Sequence, residues 1–227
     1  MAQTAGPDDQ LPDEIGKLAS DTTELGIVVG DMFRYACAGL FGQEPETTRF
    51  VMDSQNWVAR ASVALDLRVR SIIHRYHPGG DSIRRIVELQ QAATQYARIA
   101  ERSSGISDHA LALGGAGDPV LASVAPDAPG LLYALISLVY EQMRGVFLVT
   151  AARDMAQART LVANHTEVEG YYNALHLRVK RRIRSEPCTA LALQRVLMVT
   201  DDMRSIGQSV VAICEATLFT SPHAGAI

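Results

Sequence analysis

Apolar residues recur three and four positions apart along most of this chain, the spacing that puts them on one face of an α-helix. Six segments carry that period. The first runs from about Thr22 to Phe41, with Leu25, Val28, Val29, Met32, Phe33 and Ala36 on one stripe. The second runs from about Glu46 to Tyr76, with Val51, Val58, Leu65, Val69 and Ile72 near a heptad spacing. The third runs from about Ser82 to Ser103 and aligns Ile83, Ile86, Leu89, Ala93, Tyr96 and Ile99. The fourth covers about Gly130 to Thr150, the fifth Met155 to Arg184, and the sixth Thr189 to Phe219. No stretch alternates long enough to make a strand. Breakers separate the segments: Gly42 and Pro45, "HPGGD" at 77–81, "SSGISD" at 103–108, "PDAPG" at 126–130, Arg153–Asp154, and "SEPC" at 185–188. The pattern predicts an all-α protein.

The six helices follow one order twice: short, long, medium. The long helices share a phrase, "ALDLRVRSII" at 64–73 and "ALHLRVKRRI" at 174–183, so Leu65 and Leu175 are 110 positions apart. In the third helices "RIAE" and "SIGQ" match, with Ile99 and Ile206 107 positions apart. Two copies of a three-helix unit, with three residues fewer between helices in the second, explain both offsets; echo from helix-rich composition is the plainer alternative. The predicted organisation is a disordered tail at 1–21, a first three-helix bundle at 22–105, a linker at 106–129, a second bundle at 130–219 and a tail at 220–227. Long amphipathic helices joined by short turns pack at shallow angles, with one core per bundle.

Composition narrows the class. Hydrophobic residues make up 48% and charged residues 20%, which is globular. The net charge of −4 gives no basic field for nucleic acid. Cys37, Cys188 and Cys214 are far apart and odd in number, which argues for reduced thiols rather than a disulfide or zinc framework. "MAQTAGPDDQLPDE" has acids and prolines where a signal peptide needs a basic start and an apolar run. "LLYALISLVY" is about half the length of a membrane span, so it is expected to be a buried helix.

Catalytic chemistry is hard to find. The serines have no His and Asp in a triad frame. "GGAG" at 114–117 lacks the Lys-Ser/Thr and the preceding strand of a phosphate loop. His74 and His77 are three apart and could face a metal together, though the end of a polar helix before Pro78 explains them as well. His165, Glu167 and Glu169 form a denser group that Asp201 or Asp202 could approach; a solvated helix face is the bland alternative. "RVKRRIR" at 178–184 has five basic residues in seven. It could meet an anionic surface, or simply complement the dipole at a helix end.

These features together resemble the PhoU family of phosphate-signalling regulators. The family's third-helix phrase is similar to "TQYARIAERSSGIS" from Thr94 and "TDDMRSIGQSVVAICE" from Thr200; its Pro and Asp before that helix are matched by "HPGGDSIRRI", and its fifth-helix passage by "RDMAQARTLVANHTEVEGYY". The resemblance covers about residues 22–219 and implies two tandem PhoU-like bundles. It further implies a cytoplasmic, non-enzymatic negative regulator of phosphate uptake. That regulator would link the ATPase of a phosphate ABC transporter to a sensor histidine kinase, as a homodimer that reaches the inner membrane only through its partners.

Relatives hold iron or other metals through acid pairs four apart, which share a helix face and suit hard cations. Here the matching positions are Ala97 and Glu101 in the first copy and Arg204 and Gln208 in the second. Glu101, Glu167, Glu169 and Asp202 are the acids left to hold metal, so no firm cofactor is implied beyond a weakly bound divalent ion or iron. The rival reading is a helical-bundle metal store or oxidase. It would need several inward carboxylates with a Glu-xx-His pair, and neither "EQMR" at 141–144 nor "EVEG" at 167–170 has the His.

Overall fold

A computed structural model describes residues 7–42, 45–114, 117–124, 127–185 and 190–220. The described residues are all helical apart from short turns, with no strand among them. The helices are α1 (Pro7–Ala38), α2 (Pro45–Tyr76), α3 (Gly80–Leu113), α4 (Gly117–Ala122), α5 (Ala128–Ala152), α6 (Met155–Ser185) and α7 (Ala190–Phe219). α1, α2 and α3 pack together as one three-helix bundle, and α5, α6 and α7 as another.

The two copies of the repeated phrase fold in the same phase. On α2, Leu65 and Val69 are buried while Leu67 is 60% exposed; on α6, Leu175 and Val179 are buried while Leu177 is 52% exposed. The arginines between them also act alike. Arg68 reaches back to Glu14 and Asp21 on α1, and Arg178 reaches back to Asp127 at the start of α5. Each long helix is therefore tied to the first helix of its own bundle by the same residue. Across the molecule like meets like, with α1 against α5 and α3 against α7. That is the pairing expected when duplicated units are related by a pseudo-two-fold axis.

The bundles do not keep separate interiors. One continuous cluster runs from Leu18 and Met32 through Ile86 and Tyr96 to Val146 and Ile206. At this length, a shared core removes more apolar surface from water than two small ones could.

Three predicted boundaries are corrected. α1 begins at Pro7, so residues 7–21 are not a tail. Leu11 and Ile15 pack on the core and Leu18 is 1% exposed, extending the apolar stripe four turns upstream. Pro12 misled because it marks a break in most contexts; near a helix start it removes only a bond or so. α3 runs through "SSGISD" to Leu113, because Ile106, Ala110 and Leu113 keep its buried stripe. Gly114 then ends it in the left-handed region at φ 64°, returning its N–H to Ala110 and Leu111 carbonyls. Inside the expected linker, α4 places a fully buried Leu121 against α5 and α7. Cys188 and residues 221–227 of the predicted tail lie outside the described residues, while Thr220, expected to open that tail, is buried and bonded to Glu88.

α5 is the most apolar helix. By length and composition alone it could cross a membrane. Its residues Leu132, Leu135, Val139, Met143, Val146 and Val149 are instead buried against the other helices, as "LLYALISLVY" led one to expect.

Candidate functional site

Among the described residues, three polar groupings along the seams between helices bring together residues distant in sequence.

The first seam lies between α6 and α7. Arg204 Nε donates to both oxygens of Glu169 at 2.7 and 3.0 Å, and its guanidinium lies 4.8 Å from the centre of the Tyr172 ring. Hydrogen bonding to Glu169 raises the Arg204 pKa further. One turn before Glu169, His165 Nε2 stands 3.5 Å from the same carboxylate. Further along, Tyr172 Oη donates to Asp201 at 2.8 Å, and His176 Nε2 is 3.5 Å from Asp201. Burial is the main cause that lowers the pKa of both histidines. Gly207 lets α7 approach this seam; a Cβ there would stand 3.0 Å from both Gln142 Oε1 and His165 Cε1. Gln142 is 3% exposed, and neither of its amide atoms finds a partner among the described residues.

The second is a groove between α3 and α7, lined by Gln95, Arg98, Glu101, Arg102, Ser205, Gln208, Ser209 and Ala212, with a volume of about 390 Å³. At its edge Arg102 donates to Asp202 at 3.2 Å. Burial raises the Asp202 pKa, against the pull of Arg102. Gly105 makes room for that carboxylate, since a Cβ there would lie 2.9 Å from Asp202 Oδ2.

The third is a buried clamp at one end of the core. Glu88, 2% exposed, meets Arg85 at 2.6 Å and Arg153 at 3.1 Å, and accepts hydrogen bonds from Thr217 at 2.9 Å and Thr220 at 3.2 Å. Arg85 also donates to the Thr150 carbonyl at 2.6 Å, and Thr150 Oγ1 bonds Tyr96 Oη at 2.9 Å. One carboxylate thus joins α3, the α5–α6 turn and the end of α7.

The four candidate acids do not converge. Glu101 is exposed in the α3–α7 groove, Glu167 is exposed on α6, Glu169 is occupied by Arg204, and Asp202 by Arg102. Among the described residues no group of three or more His, Cys, Asp or Glu gathers as a metal site. The expected i, i+4 pair in the second copy is divided: Arg204 turns to α6 while Gln208 turns to α3. In the first copy Ala97 packs half-buried on the core, leaving Glu101 alone. His74 and His77 rings stand 6.3 Å apart on the surface, with no third ligand among the described residues. Sequence reasoning missed Glu88, Gln142 and Arg102. Only Glu88 carries a signal in the chain: a lone acid inside the apolar run "IVELQQAA".

Cys37 and Cys214 are buried free thiols whose pKa burial pushes up, that of Cys214 to about 12. Ser103, Thr22 and Thr150 donate to carbonyls of their own helices.

No family model matches the chain, and no curated protein matches it significantly. Solved structures do. The crystal structure of PhoU from Pseudomonas aeruginosa superposes with a TM-score of 0.85 at 16% identity, covering 93% of this chain and 98% of that one. The phosphate transport system regulatory protein PhoU from Streptococcus pneumoniae gives 0.81 at 15% identity, covering 93% and 96%. At these identities the likeness is one of architecture, and over nearly its whole length this chain has the fold of the PhoU proteins.

Proposed function

We propose that this protein is a non-enzymatic regulator of phosphate uptake and phosphate-starvation signalling. It works by docking between the ATPase of a phosphate transporter and a sensor kinase at the cytoplasmic face of the membrane. The observation that carries the reading is similarity to PhoU structures over 93% of this chain and 96–98% of theirs. The chemistry of the chain agrees with a docking role. Among the described residues Cys37 and Cys214 are buried, and the hydroxyls of Thr22 and Ser103 bond to carbonyls of their own helix. Its duplicated unit also presents the same exposed leucine twice, Leu67 and Leu177. Such a protein shifts equilibria by binding one state of a partner better than another.

Deleting the gene tests this directly. Phosphate-starvation genes should then be expressed in phosphate-rich medium, and expression unchanged from the parent strain would count against the proposal. For the same reason we expect no multinuclear iron or zinc cluster in purified protein. Glu169 and Asp202 already face guanidinium groups, which compete with a cation for the same oxygens. Elemental analysis after gel filtration decides that point.

A further inference from the structure

The α3–α7 groove is built from equivalent positions of the two repeats. The offset of 107 that relates Ile99 to Ile206 also relates Arg98 to Ser205, Glu101 to Gln208 and Arg102 to Ser209, and all six line the groove. It therefore lies on the seam where the third helices of the two repeats meet, with unequal walls. α3 contributes long charged side chains, and α7 contributes Ser, Gln and Ser. The short α7 side chains leave the open volume that the α3 arginines face.

Arg98 is the informative residue. It is exposed, and it makes no hydrogen bond or ion pair with any described residue, although Glu101 stands three positions on along its own helix. Arg102, 51% exposed, spends one nitrogen on Asp202 and keeps further N–H groups for the groove. Ser209 Oγ and the amides of Gln95 and Gln208 are likewise unengaged, while Ser205 Oγ donates to the Asp201 carbonyl and can still accept. Donors therefore approach from both walls. A planar carboxylate is satisfied by one guanidinium fork, whereas a tetrahedral oxyanion accepts from several directions at once.

We propose that this groove binds a phosphate group, as the free ion or as a monoester of a small molecule, between Arg98 and Arg102 on α3 and the Ser209 and Gln208 donors on α7. Glu101, and Asp202 on Arg102 at the groove's edge, are the opposing charges and limit its affinity. The proposal is independent of the regulatory reading, since it concerns a ligand of this groove and not the partners of the protein.

The full chain is titrated by calorimetry at low ionic strength with inorganic phosphate, with glycerol 3-phosphate and with acetate. One phosphate-type ligand per chain is expected, weakening as salt is added. Arg98→Gln should weaken it by about tenfold or more, the loss of a charge-assisted contact, with an unchanged melting temperature because Arg98 holds nothing else. Glu101→Gln should tighten it. Response to the free ion alone, the monoester alone or both identifies the source of the phosphate group. No heat with either phosphate, equal affinity for acetate, or binding that Arg98→Gln leaves intact would overturn the site.

Discussion

Leu175 is fully buried and Leu65 nearly so, each at the same place in a repeated phrase. Truncation to Ala leaves a cavity, and each change should cost about 2–5 kcal/mol in chemical denaturation. Leu175 should be the costlier, because Leu65 borders surface grooves into which water can follow. Histidine gives a different signature. Burial holds His165 and His176 below the usual histidine pKa. The folded state therefore binds fewer protons than the unfolded chain in the window below about pH 6.5. Stability is unaffected above that window and declines as pH falls through it toward the depressed folded values. Melting temperature should thus drop between about pH 7.5 and 5.5, and His165→Gln should flatten that slope. A slope identical to the parent's would mean that His165 does not titrate differently on folding. Asp202, raised by burial, acts in the opposite sense near the carboxylate range: its contribution is present below the unfolded value and lost as pH rises through the folded one.

Among the elements, α1 depends on glycine to approach its neighbours. Gly26 and Gly30 are one turn apart. A Cβ at Gly26 would stand 2.7 Å from Tyr96 Cζ on α3, and one at Gly30 would stand 2.7 Å from Phe147 Cζ on α5. The two rings lie side by side, with centroids 6.4 Å apart, so α1 rests on an aromatic pair supplied by both bundles. Ala is the better helix former by about 1 kcal/mol, yet Gly26→Ala should destabilise. Tyr96 is fully buried and bonded to Thr150, so it cannot swing aside. A net cost of about 1–3 kcal/mol is expected from overpacking. The double variant Gly26→Ala with Tyr96→Phe should not recover it, because the ring itself is what the new methyl meets. A melting temperature at or above that of the parent for Gly26→Ala would show that α1 can shift outward without loss.

At the scale of the whole molecule, Glu88 joins the bundles. It is buried beside two arginines and two threonines drawn from three separate parts of the chain. Removing one partner of a buried ionic cluster leaves the others desolvated and unpaired, so Glu88→Ala should cost about 3–5 kcal/mol. Glu88→Gln keeps the shape and some of the hydrogen bonds and should cost less. Because the clamp ties α7 to α3, hydrogen exchange should speed up first in the last turns of α7. Equal protection there in parent and variant would show that the shared apolar core alone holds the two bundles together.

What the sequence determined by itself was the helical class, the doubling of the unit and the buried face of each long helix. Helical hydrogen bonds close over four residues and apolar period is written in neighbouring positions, so Leu65 and Leu175 could be placed from the chain alone. The same local logic misplaced the ends: prolines and glycines read as breaks while Leu11, Leu18, Ile106 and Leu113 were carrying the stripe onward. Which polar groups meet was settled only by tertiary structure. Arg204 and Gln208 share a helix face on paper, yet α7 sits between α6 and α3, and that face is divided between Glu169 on one side and the Arg98 groove on the other. Asp202 finds Arg102 across 100 residues, and Glu88 finds Thr217 across 129. Those meetings depend on the rotation and crossing of packed helices, and each residue of rotation turns a side chain by about 100°. Periodicity says which face is inward; only the packing of three helices at once says which neighbour that face meets.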